Sequence, residues 1–186
     1  MTTATLAPRR LPTTSLVLAA AVLAWVLTIG WIRVEEMGAM PGTMGMGLLS
    51  FTVMWGLMMA AMMLPSVAPF LQTYQATIVE HRVIRLPALA VGYLAAWTAV
   101  GVVAYFIADW FGTLAAEEPD IAQGVAVGTF AVVGVYQLTP LKFRCLSHCR
   151  SPLGHLMHYL GFRGRLRDFK AGVHHGWYCL GCCWAL

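Results

Sequence analysis

The side chains best suited to chemistry are five cysteines and the histidines around them. Cys145 and Cys149 are spaced C-x3-C with His148 between them, and Cys179, Cys182 and Cys183 form C-x2-C-C. His174 and His175 stand just before the second group, and His155 and His158 lie between the groups. Two close cysteine pairs are the usual way to build a tetrahedral thiolate site, and thiolate suits both Zn(II) and Cu(I). The gap between Cys149 and Cys179 is longer than in a compact zinc ribbon, so such a site would join a loop to a helix start. The spacing matches no common ferredoxin run. Cys179-x2-Cys182 also fits a redox thiol pair, although no βαβ pattern surrounds it. Metal-free buried thiols, a structural metal and a handled metal are all compatible with these residues.

Methionine is the second donor set. Five of the 11 methionines are Met54, Met58, Met59, Met62 and Met63. On a helix Met54, Met58 and Met62 form one stripe, and Met59 and Met63 form a second beside it. Met37, Met40, Met44 and Met46 precede them. Thioether sulfur is a soft ligand that suits Cu(I). The same side chains also fill helix interfaces well.

The elements that must position these donors are apolar. The chain is 59% hydrophobic and only 11% charged, with a mean hydropathy of +0.70. An ordinary soluble domain has about 25% charged residues. A soluble globular protein is excluded on this ground, as are disordered, coiled-coil and collagen-like chains. A spanning helix needs about 20 mostly apolar residues. Four segments qualify, at roughly 16–32, 44–64, 88–108 and 121–138. Pro65 is expected to stop the second, Pro87 to open the third, and Thr139-Pro140 to close the fourth. The fold class is therefore all-α, a polytopic transmembrane bundle. The first segment exceeds the apolar run of a signal peptide, and Trp25, Ile29 and Trp31 spoil a cleavage site, so an uncleaved helix is expected.

Orientation follows from the cations. With the N-terminus inside, 11 of the 12 basic residues fall on the inner side and only Arg33 lies outside. Six of the eight acids, Glu35, Glu36, Asp109, Glu117, Glu118 and Asp120, are then outside. This predicts a multi-pass membrane protein with a cytoplasmic N-terminus. Residues 139–176 form a polar Cys/His-containing loop on the cytoplasmic side. Within it 153–160 could make a short amphipathic helix, and 163–170 reads as a solvated basic run near lipid headgroups. The reducing compartment argues against disulfides. Residues 177–186 turn apolar again and give half a spanning helix, as expected of a chain that ends early.

Other motifs read as packing. Gly124-x3-Gly128 is a small-residue helix-contact pattern. Trp25, Trp31, Tyr105, Trp110 and Trp177 suit membrane interfaces, and Tyr136 and Gln137 suit an interface or a cavity lining. No histidine lies in the four spans, which argues against haem b, and no span carries a buried acid for a proton relay. Phosphate-binding loops, nucleophile elbows and zinc-protease motifs are missing from the sequence.

Three segments together resemble a bacterial family of predicted metal-binding integral membrane proteins, a domain of unknown function. They are Met54-Trp55 with Met58-Met59-Ala60-Ala61-Met62-Met63-Leu64-Pro65; Tyr136-Gln137-Leu138-Thr139-Pro140-Leu141-Lys142 running into Cys145 and Cys149-Arg150-Ser151-Pro152; and Gly172, Gly176 and Cys179-Leu180-Gly181-Cys182-Cys183-Trp184-Ala185-Leu186. The resemblance implies a polytopic inner-membrane protein whose ligands are Cys145, Cys149, Cys179, Cys182 and Cys183, with the methionine ladder second. Family members continue past the cysteine-tryptophan motif through further hydrophobic segments, where this chain stops.

The leading expectation is a non-enzymatic handler of a soft metal such as copper, by binding, delivery or transport. The expected donors are Cys145, Cys149, Cys179, Cys182, Cys183, His148, His174 and His175, with Met54, Met58 and Met62. Thioethers outside and thiolates inside would form an affinity ramp for Cu(I). The alternative is a membrane scaffold or complex subunit with a structural zinc. The expected partners are the lipid bilayer and other membrane subunits, with no nucleic acid.

Overall fold

The computed structural model describes residues 13–34, 42–78, 81–150, 156–159 and 161–184, with the side chains of 82 and 148–150 outside the description. Secondary structure among the described residues is helical throughout: α1 Thr13–Val34, α2 Leu48–Thr77, α3 Arg82–Glu117, α4 Pro119–Gln137, α5 Pro140–Arg150 and α6 Arg167–Cys183. A single helical turn at 156–159 stands between α5 and α6. The chain is all-α, and α1 to α4 are each long and apolar enough to cross a membrane.

Two proline expectations are overturned. Pro65 does not end the second helix; α2 runs on through Pro65 and Pro69 to Thr77. Proline costs a helix one backbone bond, which side chains and neighbouring helices can compensate in an apolar setting. Ser66 Oγ donates to the Met63 carbonyl and Thr73 Oγ1 to the Pro69 carbonyl, each within one turn of a proline. The stretch beyond Pro65 is also strongly anchored, since Val67, Ala68, Phe70, Leu71 and Tyr74 are all buried. Likewise Pro87 does not open the third helix but lies inside it, because α3 begins at Arg82. At the other end α3 continues past Asp109 to Glu117, and Glu118 alone separates it from α4.

α1 packs on α2, α2 on α3, and α6 most extensively on α3. Thr13 Oγ1 donates to Gln75 Oε1 and Gln72 Nε2 donates to Thr14 Oγ1, tying the start of α1 to the end of α2. Trp55 Nε1 donates to the Trp97 carbonyl at 3.0 Å and joins α2 to α3. α4 touches the rest of the chain least, and Phe130, Val132 and Val135 on it are exposed.

The small-residue contact is not where the Gly124-x3-Gly128 pattern places it. A methyl group on either glycine would meet nothing within 4 Å. The close approach is between α3 and α6. A Cβ on Gly172 would lie 2.0 Å from the Leu89 carbonyl oxygen, and one on Gly92 2.2 Å from that of Phe169. Backbone can approach this closely only where no Cβ intervenes. Gly176 continues the seam against Tyr93 and Ala96. The partners rise together in number, so α6 runs parallel to α3.

Among the described residues of 139–176, helix replaces much of the expected polar loop. The region contains α5 and the first half of α6, and α6 continues unbroken across the boundary at 177. Residues 163–170 are only partly the solvated run expected: Arg163, Arg165 and Lys170 are exposed, but Asp168 is buried.

Candidate metal centre

α6 carries five of the eleven expected donors, and its attachment decides where they lie. Asp168 in its first turn is the anchor. Arg85 Nη2 reaches Asp168 Oδ1 at 3.0 Å, Arg85 Nε lies at 3.1 and 3.2 Å from the two carboxylate oxygens, and Tyr74 Oη donates to Oδ1. Burial alone would raise the carboxyl pKa, but Arg85 and Tyr74 outweigh it and hold Asp168 below the usual carboxylate range. One side chain thus joins α2, α3 and α6. This network was invisible in the sequence: its members are far apart in the chain, and a single acid among Arg163, Arg165, Arg167 and Lys170 carries no local signal.

From that anchor α6 climbs along α3 and brings the cysteines beside the middle of the third apolar segment. Cys179 is buried in one core with Met59, Tyr93 and Trp97, and Cys183, Met58, Met63 and Val100 pack against that core. Cys182 is also buried; its Sγ donates to the Cys179 carbonyl at 3.3 Å and lies 3.3 Å from Cys183 Sγ. Cys145 on α5 is half-buried and faces Gly181, where an added Cβ would sit 2.9 Å from its sulfur. Tyr136 at the end of α4 donates to the Gly181 carbonyl, and its ring lies 5.0 Å from that of Trp184. Cys145, Cys179, Cys182 and Cys183 are all thiols, with no disulfide among them.

Among the described residues, no three His, Cys, Asp or Glu side chains gather into a metal-holding group. The side chains of His148 and Cys149 lie outside the described residues, as do His155, Met37 and Met40. The 3.3 Å between Cys182 and Cys183 is a thiol–thiol contact. Two thiolates sharing a tetrahedral ion at about 2.3 Å each stand nearly 4 Å apart. Metal loading would therefore part these sulfurs and release their protons.

The adjacent histidines separate. His175 is buried and stacks on Phe70 at 4.2 Å and 9°. Desolvation pushes its pKa down to about 4, so it is a neutral core residue at neutral pH. His174 turns the other way, half-buried, with Nδ1 3.3 Å from the Tyr159 hydroxyl and its ring 5.1 Å from that of His158. Burial, with His158 and His175 nearby, lowers its pKa as well.

The methionine stripes also divide. Met54 is buried and Met58 half-buried, but Met62 is 39% exposed and turns away from the bundle. The second stripe faces inward: Met59 is the thioether that shares the buried core with Cys179.

No curated protein and no solved structure matches the chain. The family model of PpoB2, described as a copper chaperone, matches residues 52–186. That stretch holds every cysteine and histidine and the whole Met54–Met63 ladder. The chain belongs to the PpoB2 copper chaperone family.

Proposed function

We propose that the protein is a membrane-embedded copper chaperone that holds Cu(I) on the thiols of α6 together with Cys145. The thioethers of α2 serve as a second, weaker donor set. The observation that carries this reading is the copper-chaperone match over 52–186, the stretch that contains both soft donor sets. Its physical support is the core shared by Met59 and Cys179, with Cys183 packed against it, which places a thioether helix against a thiol helix. Thiolate binds Cu(I) more tightly than thioether, so an ion entering along α2 would settle on α6. Because binding needs thiolate, loading would release protons and weaken in acid. The cation distribution supports an inner-membrane protein with its N-terminus inside.

The test is elemental analysis of the full chain, purified reduced, beside a variant carrying Cys145→Ser, Cys179→Ser, Cys182→Ser and Cys183→Ser. Copper in the wild type and a clear fall in bound copper in the variant are the expected result. Zinc that stays until the protein unfolds would replace this reading with a structural site. Copper retained in full by the variant would remove these four thiols from the function.

A further inference from the structure

His158 is presented to His174 by the short helical turn at 156–159. Leu156 and Tyr159 of the helical turn are buried, and Tyr159 packs edge-on against Phe70 at 5.7 Å. Between these two anchors His158 stands exposed. The turn is closed by the Gly161 amide donating to the His158 carbonyl at 3.1 Å and by the Phe162 amide donating to that of Tyr159 at 3.1 Å. Phe162 then contacts both imidazoles edge-on, at 5.2 Å for His158 and 6.1 Å for His174. The two histidine rings are held 5.1 Å apart. Two imidazoles on one metal at about 2 Å each, in tetrahedral arrangement, have ring centroids about 5 Å apart. The Tyr159 hydroxyl at His174 Nδ1 supplies the oxygen partner that a ligating histidine normally has. With Nδ1–H donating to that oxygen, Nε2 is the nitrogen left for a metal.

We infer that His158 and His174 form a second copper site, an imidazole pair separate from the thiols, from which Cu(I) passes to α6. The inference rests on the copper-handling reading above. Imidazole is a fitting donor for copper and, being harder than thiolate, holds Cu(I) less tightly. His174 precedes Cys179 by about 7.5 Å of helix rise, on the side of the Asp168 anchor. The pair therefore stands toward the Asp168 end of α6, with the thiols farther along the helix. His174 was among the donors expected from sequence; His158 was not.

The test loads the full chain anaerobically with Cu(I) to saturation, counts copper and records X-ray absorption. The expected wild-type spectrum contains imidazole scattering besides sulfur. His158→Ala changes an exposed side chain and should lose the imidazole scattering and one copper equivalent while keeping the sulfur-bound copper. His174→Gln should do the same. Tyr159→Phe should keep the copper count but weaken the imidazole-bound ion about tenfold. An unchanged copper count and unchanged imidazole scattering in His158→Ala would overturn the inference, as would a wild-type spectrum of sulfur alone. Imidazole-bound copper persisting with no sulfur-bound copper would support this site and overturn the thiol reading instead.

Discussion

A single buried carboxylate decides where the donors of α6 lie. Asp168 is balanced by Arg85 and Tyr74 at contact distance, with Arg167 farther off at 3.8 Å. Breaking a buried ion pair from one side leaves an uncompensated charge and costs roughly 3 kcal/mol or more. Arg85→Met is expected to lower the thermal unfolding temperature of the detergent-solubilised protein strongly. The pH dependence has a defined sign. Because the folded carboxyl pKa is lowered, the stability it contributes is present above the unfolded value of about 3.9 and is lost as pH falls through the folded value. The wild type should therefore lose stability below about pH 4. Asp168→Asn should be less stable at neutral pH and flatter through that acid window. A steep acid transition of equal size in Asp168→Asn would show that the carboxylate is not its source. At this scale the sequence displayed which residue types could bind metal but not which way they face. His174 and His175 are neighbours in the chain, yet one meets His158 and the other stacks on Phe70, because adjacent helical positions point about 100° apart.

At the scale of elements, apolar composition identified the four long helices, and their ends were the part it missed. Proline was read as punctuation at 65 and 87, whereas tertiary packing carries α2 and α3 through both. The helix seam was missed for a related reason. Gly124-x3-Gly128 and Gly172-x3-Gly176 have identical local spacing, and only the partner surface separates them. The α3–α6 contact supplies one for Gly172 and Gly176, and α4 has none for its pair. Opposite outcomes follow for one substitution. Gly172→Ala forces a methyl group onto the Leu89 carbonyl and should destabilise by about 1–3 kcal/mol, the usual cost of overpacking. Gly124→Ala meets open space and should stabilise α4 by roughly 0.5–1 kcal/mol through helix propensity. Thermal unfolding followed by circular dichroism distinguishes the two. In Gly172→Ala the buried Cys179 and Cys182 should also react faster with alkylating reagents, since the helix that carries them is pushed off α3.

For the whole molecule, the parallel run of α6 beside α3 changes the setting of the thiols. The sequence placed them at the inner edge of the membrane, after a polar loop. The structure sets Cys179 against Tyr93 and Trp97, well along the apolar segment 88–108. The Arg85–Asp168 contact puts the start of α6 at the same end as the α2–α3 turn, so the cations on both share one side. The positive-inside expectation would allot that common side, with Arg85, Arg163, Arg165, Arg167 and Lys170, to the inner face. A labelling experiment separates depth from sidedness. In a chain whose native cysteines are all serine, exposed positions are replaced one at a time. Arg165→Cys should react with an impermeant maleimide only in inside-out vesicles, and Glu118→Cys only in right-side-out vesicles. In the wild type, Cys179 and Cys182 should resist the reagent from either face, because both are buried against neighbouring helices. The reverse sidedness at 165 and 118 would invert the molecule and with it the direction in which copper meets thioether before thiolate. Rapid labelling of Cys179 from the inner face would instead mean that α6 leaves α3 readily, making the thiols a surface acceptor and not a buried one.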